Sequence, residues 1–142
     1  SLIGIYEYFD NLYNYHFEDK ELSHLKKIKK INKLISEYEE RIANPLLDYI
    51  SKRNNFKLIG KNKIKNKDRS PTISFTIENK SSKKVSKILV KNNIATRNDH
   101  FYAWRCLEAL GIDTNDGVVR ISMTHYNNKK DVDNLINALE LI

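Results

Sequence analysis

Two short segments carry the side chains of this sequence that are best suited to chemistry. Arg97, His100 and Tyr102 lie in the first segment, and Arg120 lies in the second, within residues 118–127. An arginine guanidinium can grip a carboxylate through two parallel hydrogen bonds. Histidine is the side chain that titrates nearest neutral pH, and a tyrosine hydroxyl can hydrogen-bond a ligand. These residue types could form a substrate site that binds a carboxylate.

Each of these residues also has a purely structural interpretation. Arg120 could be an exposed strand arginine, or it could pair with an acid such as Asp99. His100 could cap a helix or bond a backbone carbonyl, and Tyr102 could simply pack. The nearby Cys106 has apolar neighbours at helical spacing and is predicted to be a small buried hydrophobic residue. The residue types alone favour the structural interpretation of Arg120, and a lone histidine is more often structural.

The composition predicts one domain with room for a helical extension. The chain has 142 residues, of which 40% are hydrophobic and 30% charged. No apolar run approaches the roughly 18 residues that a membrane-spanning helix needs. A single cysteine excludes disulfide frameworks and cysteine zinc sites within one chain, and the four histidines lack metal-ligand spacing. We therefore expect a cytoplasmic location, no membrane contact and no metal.

The net charge of +7 raises the possibility of a nucleic-acid partner. Most of the excess is lysine scattered among asparagines and isoleucines. The densest run, residues 61–69, lacks the interleaved aromatic residues of a single-strand binder and is predicted to be a solvated loop. We expect no nucleic acid to bind, but a stand-alone basic module for nucleic acid or a protein partner remains the alternative function.

Apolar residues at helical spacing predict that residues 1–52 form a helical arm. A first helix covers residues 1–14, and after a loop a long helix begins at residue 21. Pro45 interrupts the second pattern. Either Asn44 caps a new helix with Pro45 in its first turn, or the helix kinks at this point.

Residues 53–142 are predicted to form a small α+β domain, a mainly antiparallel sheet covered on one face by helices. The predicted strands are residues 56–60, 71–77, 94–97 and 118–124, and the predicted helices start at Ser81 or Ser82, at residue 101 with Gly111 as its C-cap, and after Asn128. In the last strand Arg120 lies on the face opposite the apolar Val119, Ile121 and Met123. Its guanidinium is therefore expected to point away from the core, toward water or another domain.

Taken together, these segments resemble the C-terminal domain of enzymes that have the class V aminotransferase fold and use pyridoxal 5′-phosphate (PLP). Cysteine desulfurases belong to this group. The matching segments are Tyr38-Glu39, residues 69–75, residues 97–103, residues 119–127, and Val132-Asp133 with Leu135. The resemblance covers nearly the whole chain, and its strand, arginine, Tyr-Asn turn and acidic helix start near the C-terminus are the most specific part.

The resemblance implies the roles of the candidate residues. The arginine that matches Arg120 clamps the α-carboxylate of an amino-acid substrate, and the one that matches Arg97 lies beside it. His100 and Tyr102 would line the mouth of the site. Tyr102 stands where desulfurases of the nearest loop type carry their nucleophilic cysteine, and Cys106 is a poor substitute inside a predicted helix. Persulfide chemistry is therefore not expected.

The resemblance also implies what this chain lacks. The fold would be the C-terminal small domain of a fold type I PLP enzyme, a transferase or lyase. The lysine that holds PLP would lie in a separate large PLP-binding domain. We expect PLP in the full-length parent, an amino-acid substrate and a homodimer. We expect neither bound PLP nor a catalytic residue in this chain alone, which would be a fragment of that enzyme.

Overall fold

Five α-helices and four β-strands form the regular part of residues 2–19, 22–65 and 68–142, the residues that this computed structural model describes. They are α1 (Leu2–His16), α2 (His24–Ser51), β1 (Phe56–Ile59), β2 (Thr72–Ile77), α3 (Ser82–Lys91), β3 (Arg97–Asp99), α4 (Trp104–Ala109), β4 (Val118–Ser122) and α5 (Lys129–Leu139). The chain divides into two compact units, Ser1–Tyr38 and Glu39–Ile142, with the boundary inside α2. Within the described residues, no helix has the length and apolar character needed to cross a membrane.

In the first unit, α1 and the beginning of α2 bury one large side chain each, Tyr13 and Ile31. The ring of Tyr13 stacks on Phe17, with 4.9 Å between the centroids. The predicted first helix is confirmed and extends two residues further, to His16. The predicted start of the second helix, at residue 21, lies outside the described residues.

The α2 helix continues through Pro45 without interruption, so Asn44 does not cap a second helix. Proline inside a helix removes one hydrogen bond and costs about 3 kcal/mol. Pro45 is exposed, whereas Ala43, Leu46 and Leu47 on either side of it are fully buried. Burial of this apolar stripe offsets the cost of the proline.

The four strands form one sheet in the order β1-β2-β4-β3, and every neighbouring pair is antiparallel. Burial alternates along β2, where Ile73, Phe75 and Ile77 are buried and the residues between them are not. Ile73 pairs with Ile121, and Phe75 pairs with Val119. These pairs define the apolar face of the sheet, as the sequence predicted.

The helices α2, α3 and α5 supply the buried side chains of the main core. With those of the sheet, the core residues of the second unit are Ile42, Ala43, Leu46, Leu47, Ile50, Ile73, Phe75, Ile77, Val85, Leu89, Val119, Ile121, Met123, Val132, Leu135, Ala138 and Leu139.

Ser81 caps α3 by accepting a hydrogen bond from the backbone of Lys84, and Asn128 and Asp131 form a capping box on α5. The predicted caps are confirmed. The predicted domain boundary between residues 52 and 53 stays a prediction.

A smaller cluster lies on the other face of the sheet, where Val118 of β4 packs with Leu107 of α4 and with Ile112. Gly111, at φ +65°, follows the end of α4. The amide of Gly111 bonds to the carbonyl of Glu108, and that of Ile112 to the carbonyl of Leu107. These two bonds are a Schellman motif, which brings Ile112 back onto Leu107.

The predicted strand at residues 94–97 is displaced, since β3 runs from Arg97 to Asp99. Asn93, at φ +61°, turns the chain at the end of α3, and the amide of Ile94 bonds to the carbonyl of Leu89 at 3.0 Å. This second Schellman motif holds Ile94 at the helix end. Pairing with β4 therefore begins only at Arg97.

The predicted helix from residue 101 is too long, because α4 begins at Trp104. Phe101 and Tyr102 have φ values of +50° and +60°, which a right-handed helix cannot contain. Cys106 is exposed, so its predicted burial is wrong. The reason is that α4 is short and directs Leu107, not Cys106, into the cluster.

The lysine-rich segment, residues 61–69, is predicted to be a solvated loop, but it makes several specific contacts with the rest of the chain. Its described lysines are exposed, but Ile64 is only 2% exposed and exchanges two hydrogen bonds with the Asn44 side chain, at 2.8 and 3.1 Å. Asp68 pairs with Lys61 at 2.8 Å. Arg69 donates to the backbone carbonyls of residues 61 and 72, and burial lowers the pKa of its guanidinium. Residues 66 and 67 of this segment lie outside the described residues.

Candidate functional site

The two predicted carboxylate-binding arginines lie side by side on the sheet. Arg97 of β3 is directly opposite Arg120 of β4, and Arg120 is also opposite Ser74 of β2. Directly opposite residues of an antiparallel pair extend from the same face, with Cβ atoms about 4.5–5.5 Å apart. Arg97, Arg120 and Ser74 therefore form one row across three strands, on the face opposite the main core.

The orientation of Arg97 follows from the bonds of its two neighbours. The hydroxyls of Thr96 and Ser86 are 3.0 Å apart, and the side-chain amide of Asn98 donates to the hydroxyl of Ser82 at 3.2 Å. Ser82 and Ser86 are buried residues of α3, so Thr96 and Asn98 face that helix. Because side chains alternate along an extended chain, Arg97 between them faces the other way.

The loop before β4 holds β3 against α3. Both carboxylate oxygens of Asp116 accept hydrogen bonds from the backbone amide of Ser82, at 3.0 and 2.8 Å. The next residue, Gly117, has φ +71°, and a Cβ at this position would lie 2.3 Å from the carbonyl carbon of Asp99. Only glycine fits so close an approach, and it fixes where Arg97 and His100 stand relative to β4.

A tight turn of four residues follows β3. The amide of Ala103 bonds to the carbonyl of His100 at 2.8 Å, and the two central residues, Phe101 and Tyr102, both have positive φ. This is the geometry of a type I′ turn, which usually has Asn and Gly in the centre. A left-handed conformation costs a bulky residue about 1–2 kcal/mol. The turn is therefore strained, as is common at binding sites.

The His100 side chain hydrogen-bonds to the backbone of this turn. Its Nδ1 accepts a hydrogen bond from the backbone amide of Tyr102 at 3.1 Å, so the neutral ring carries its proton on Nε2. Nε2 lies 3.5 Å from a carboxylate oxygen of Asp99, and the ring meets Trp104 edge to face at 5.2 Å between centroids. His100 is thus a structural part of the turn, and its Nε2 lies near the Asp99 carboxylate.

Tyr102 makes an edge-to-face ring contact with His100, with 6.2 Å between the centroids, but its side chain is 100% exposed. Among the described residues its hydroxyl makes no hydrogen bond with Arg97 or Arg120. Arg120, in contrast, is half-buried, and its guanidinium carbon lies 4.0 Å from the centroid of the Phe101 ring. Within the described parts of the chain, no carboxylate pairs with Arg97 or Arg120, and the Asp99 pairing considered above does not form.

The sequence reasoning missed several residues that build this site. Phe101 covers Arg120, Ser74 lies beside it, and Asp116 and Gly117 position the strand that carries Arg97. An Asp-Gly pair is a recognised turn signal and could have indicated the positive φ of Gly117. Nothing in the types of Ser74 and Phe101 indicates their roles, because both depend on strand register.

The described residues do not fit the covalent binding of PLP. A lysine that forms a Schiff base needs a desolvated setting that favours its neutral form. Every described lysine except Lys27 is exposed, and Lys27 pairs with Asp10 at 3.6 Å and lies over the ring of Tyr13. Nor does any group of three or more His, Cys, Asp and Glu side chains within the described ranges form a metal site.

Comparison with known proteins agrees with this arrangement of sheet and helices. The sequence model of the family described as aminotransferase class-V matches residues 20–135. The chain belongs to the class V aminotransferase family. The aminotransferase-like protein FGM3 of Gibberella zeae is 32% identical to it over 109 residues, which cover 76% of this chain and 27% of that protein. The predicted family is therefore confirmed.

Solved structures confirm the predicted fold of this class V chain. An apo cysteine desulfurase of Thermococcus onnurineus matches 81% of this chain and 28% of its own, with a TM-score of 0.66 and 22% identity. The Escherichia coli cysteine desulfurase CsdA matches 75% of this chain and 24% of its own, with a TM-score of 0.63 and 24% identity. The chain thus spans about a quarter of the length of each relative, and at these identities the likeness shows the fold alone.

Proposed function

We propose that this chain is the C-terminal small domain of a PLP-dependent class V enzyme that acts on an amino acid. Its function is to bind the α-carboxylate of the substrate through Arg120 and Arg97. One observation carries the proposal: the two arginines are directly opposite each other on one face of the sheet, and neither has a carboxylate partner within the described residues.

Electrostatics supports an anion as the missing partner. Two like charges directly opposite each other on a sheet are unfavourable, and an anion between them removes the repulsion. The planar guanidinium fork matches a carboxylate with two parallel hydrogen bonds. The nearest carboxylate in the strand, that of Asp99, is already engaged by the backbone amide of His100 at 2.6 Å. We therefore propose that the carboxylate comes from a ligand.

His100 and Tyr102 are proposed to line the mouth of this site. Nε2–H of His100 can donate a hydrogen bond to a substrate group, since Nδ1 is occupied by the amide of Tyr102. The exposed Tyr102 can reach a ligand or another domain. A phenol cannot carry a sulfur atom as a persulfide, and Cys106 is on α4, four residues further along. We therefore propose transamination, β-elimination or racemisation, or sulfur removal by a route without a protein persulfide.

The cofactor is proposed to be held elsewhere. The family implies PLP in full-length proteins, whereas the described lysines of this chain do not fit it. The proposed partner is a large PLP-binding domain that precedes this chain, in a cytoplasmic homodimer. The chain alone is proposed to be inactive, because PLP chemistry requires the covalent anchor and the groups that tune the cofactor.

Titration with sodium acetate tests carboxylate binding by this chain itself. The side-chain Nε–Hε signals of Arg97 and Arg120 should shift in NMR spectra, with sodium chloride at equal ionic strength as the reference. Arg120→Gln should abolish the response and Arg97→Gln should weaken it. An equal response in Arg105→Gln and Arg120→Gln would contradict the proposal, because Arg105 is an exposed arginine of α4 outside the row.

The gene region upstream of this chain tests the proposed parent enzyme. A large α/β domain that ends in a lysine-bearing loop is expected there, and a start codon adjacent to Ser1 would contradict the proposal. In the gene product that includes such a domain, Arg120→Ala should raise the KM for the amino acid while the PLP absorbance stays unchanged. Loss of PLP in this variant would show that Arg120 has a different role.

The alternative, a basic module that binds nucleic acid, has less support. The lysine-rich segment is docked through Ile64 and Arg69, and Lys61 is already paired with Asp68. Binding to generic DNA, measured at several salt concentrations, distinguishes the two functions. Tight binding with a steep salt dependence would favour the alternative. We expect no binding at physiological salt.

A further inference from the structure

The conformation of the turn after β3 has a cost that its hydrogen bonds alone do not explain. Phe101 and Tyr102 are both in the left-handed region, at φ +50° and +60°. For bulky residues this costs about 1–2 kcal/mol each. Tyr102 gains little from packing, since its side chain is fully exposed and its ring makes an edge-to-face contact with His100 at 6.2 Å. The compensation must come largely from the other residue, Phe101.

Phe101 makes two kinds of contact in this conformation. Its ring packs against the apolar cluster of Leu107, Ile112 and Val118. The same ring lies against the guanidinium of Arg120, with 4.0 Å between the guanidinium carbon and the ring centroid. A right-handed conformation at Phe101 would direct the ring away from Arg120. The strained, left-handed backbone therefore places the ring against the guanidinium.

The contact with the ring does not use the hydrogen-bonding edge of Arg120. A guanidinium stacks on an aromatic ring through its face, whereas its N–H groups point outward in the plane. Nε of Arg120 is buried and has no hydrogen-bond partner among the described residues. The ring therefore restricts the plane of the guanidinium and removes water from one side, while Nε–H remains unpaired among the described residues.

We propose that Phe101 is a positioning residue that orients the guanidinium of Arg120 for a carboxylate. This inference rests on the proposed function, in which Arg120 binds the substrate carboxylate. Phe101 itself does not bind the carboxylate. It restricts the Arg120 side chain before the carboxylate binds, so less conformational entropy is lost on binding. The ring therefore strengthens the interaction without adding a hydrogen bond.

The decisive variant is Phe101→Leu, which keeps an apolar side chain for the cluster but removes the aromatic face. In the NMR experiment with acetate, the wild-type Arg120 Nε–Hε signal should carry a ring-current shift, and the shift should vanish in Phe101→Leu. Acetate should bind about 3- to 10-fold more weakly to this variant, the range expected for loss of a cation–π contact. Phe101→Tyr should restore both properties.

Phe56→Leu is the matched control, because Phe56 is also a half-buried phenylalanine of this unit and contacts Phe75 in the core instead of an arginine. It should leave the Arg120 signal and acetate affinity unchanged. An equal weakening in both leucine variants would show a general loss of packing and overturn the proposal.

The two proposals fail in different ways. If acetate binding requires Arg120 but Phe101→Leu changes neither the Arg120 signal nor the affinity, the positioning role is wrong and the carboxylate site stands. If the Arg120 signal shows the ring-current shift in wild type but never responds to acetate, the carboxylate site is wrong. In that case the ring stacks on Arg120 only to pack it.

Discussion

Arg97 and Arg120 are directly opposite each other in the antiparallel pair of β3 and β4, and both extend from the sheet face away from the main core. Like charges in this position oppose folding, and salt screens their repulsion. Within the described residues no acid neutralises either side chain. The repulsion between the two arginines therefore lowers the stability of the folded chain. Destabilising charges of this kind are commonly retained at ligand-binding sites.

We predict that Arg97→Gln raises the melting temperature at low ionic strength by about 1–4 °C, because it removes this repulsion. The difference from wild type should shrink as sodium chloride is added. Thermal unfolding monitored by circular dichroism measures the effect. Arg105→Gln, which removes an equal charge from α4, should not raise the melting temperature. A gain that is independent of salt would point to a cause other than charge repulsion.

Gly117→Ala should destabilise the chain by about 2 kcal/mol or more, because the new Cβ would lie 2.3 Å from the carbonyl carbon of Asp99 at a φ of +71°. Gly111→Ala is the control, with φ +65° but no described atom within 4 Å of its Cβ. It should cost only about 1 kcal/mol. Urea unfolding measures both, and similar losses would mean that Asp99 moves freely out of the way.

Asp116→Ala should lower the free energy of unfolding by about 1 kcal/mol, since the Asp116 carboxylate caps the first amide of α3, that of Ser82. It should also shift the NMR signals of Asn98, which donates to the hydroxyl of Ser82. Asp113→Ala removes a carboxylate that accepts a hydrogen bond within its own loop, from the amide of Asn115 at 2.9 Å. That control should leave Asn98 unchanged.

His100→Leu should release the turn, because it removes the acceptor for the Tyr102 amide. An asparagine side chain can place an oxygen near the position of Nδ1, so His100→Asn should retain the bond. Hydrogen exchange of the Tyr102 amide is the direct measurement, with faster exchange expected in the leucine variant than in the asparagine variant. Equal rates in wild type and His100→Leu would show that Gly117 and Phe101 suffice to hold the turn.

Stability should depend on pH through Glu39, a half-buried residue of α2. Burial raises the pKa of its carboxyl above the ordinary 4.5, and the nearby His125 opposes this in part. Because the folded-state pKa is raised, stability is fully present below the ordinary pKa and is lost as pH rises through the folded-state pKa. Glu39→Gln should therefore raise the melting temperature at neutral pH.

At a pH below 4.5, where the wild-type Glu39 is protonated, this gain should disappear. Glu78→Gln removes the charge of an exposed glutamate at the end of β2 and serves as the control. Melting curves across this pH range test the sign. A gain for Glu39→Gln that persists in acid would show that burial of the charge is not its cause.

Several elements follow directly from local patterns. Alternation along residues 72–77, the Asn128 and Asp131 capping pair, and the apolar stripe on either side of Pro45 each depend on neighbours within one element. Three predictions from equally local patterns are wrong: the strand at residues 94–97, the helix start at residue 101 and the burial of Cys106. All three lie next to a chain reversal in which Asn93, or Phe101 and Tyr102, have positive φ values.

The sequence by itself determined the family, the antiparallel sheet with its helices, and the face on which Arg120 lies, because side-chain alternation in a strand is set by the backbone. Only the tertiary structure decided that Arg97 is opposite Arg120 and that the Phe101 ring covers the guanidinium. Strand register and a left-handed turn at bulky residues depend on distant contacts, such as that of Gly117 with Asp99. No pattern within residues 97–103 contains that information.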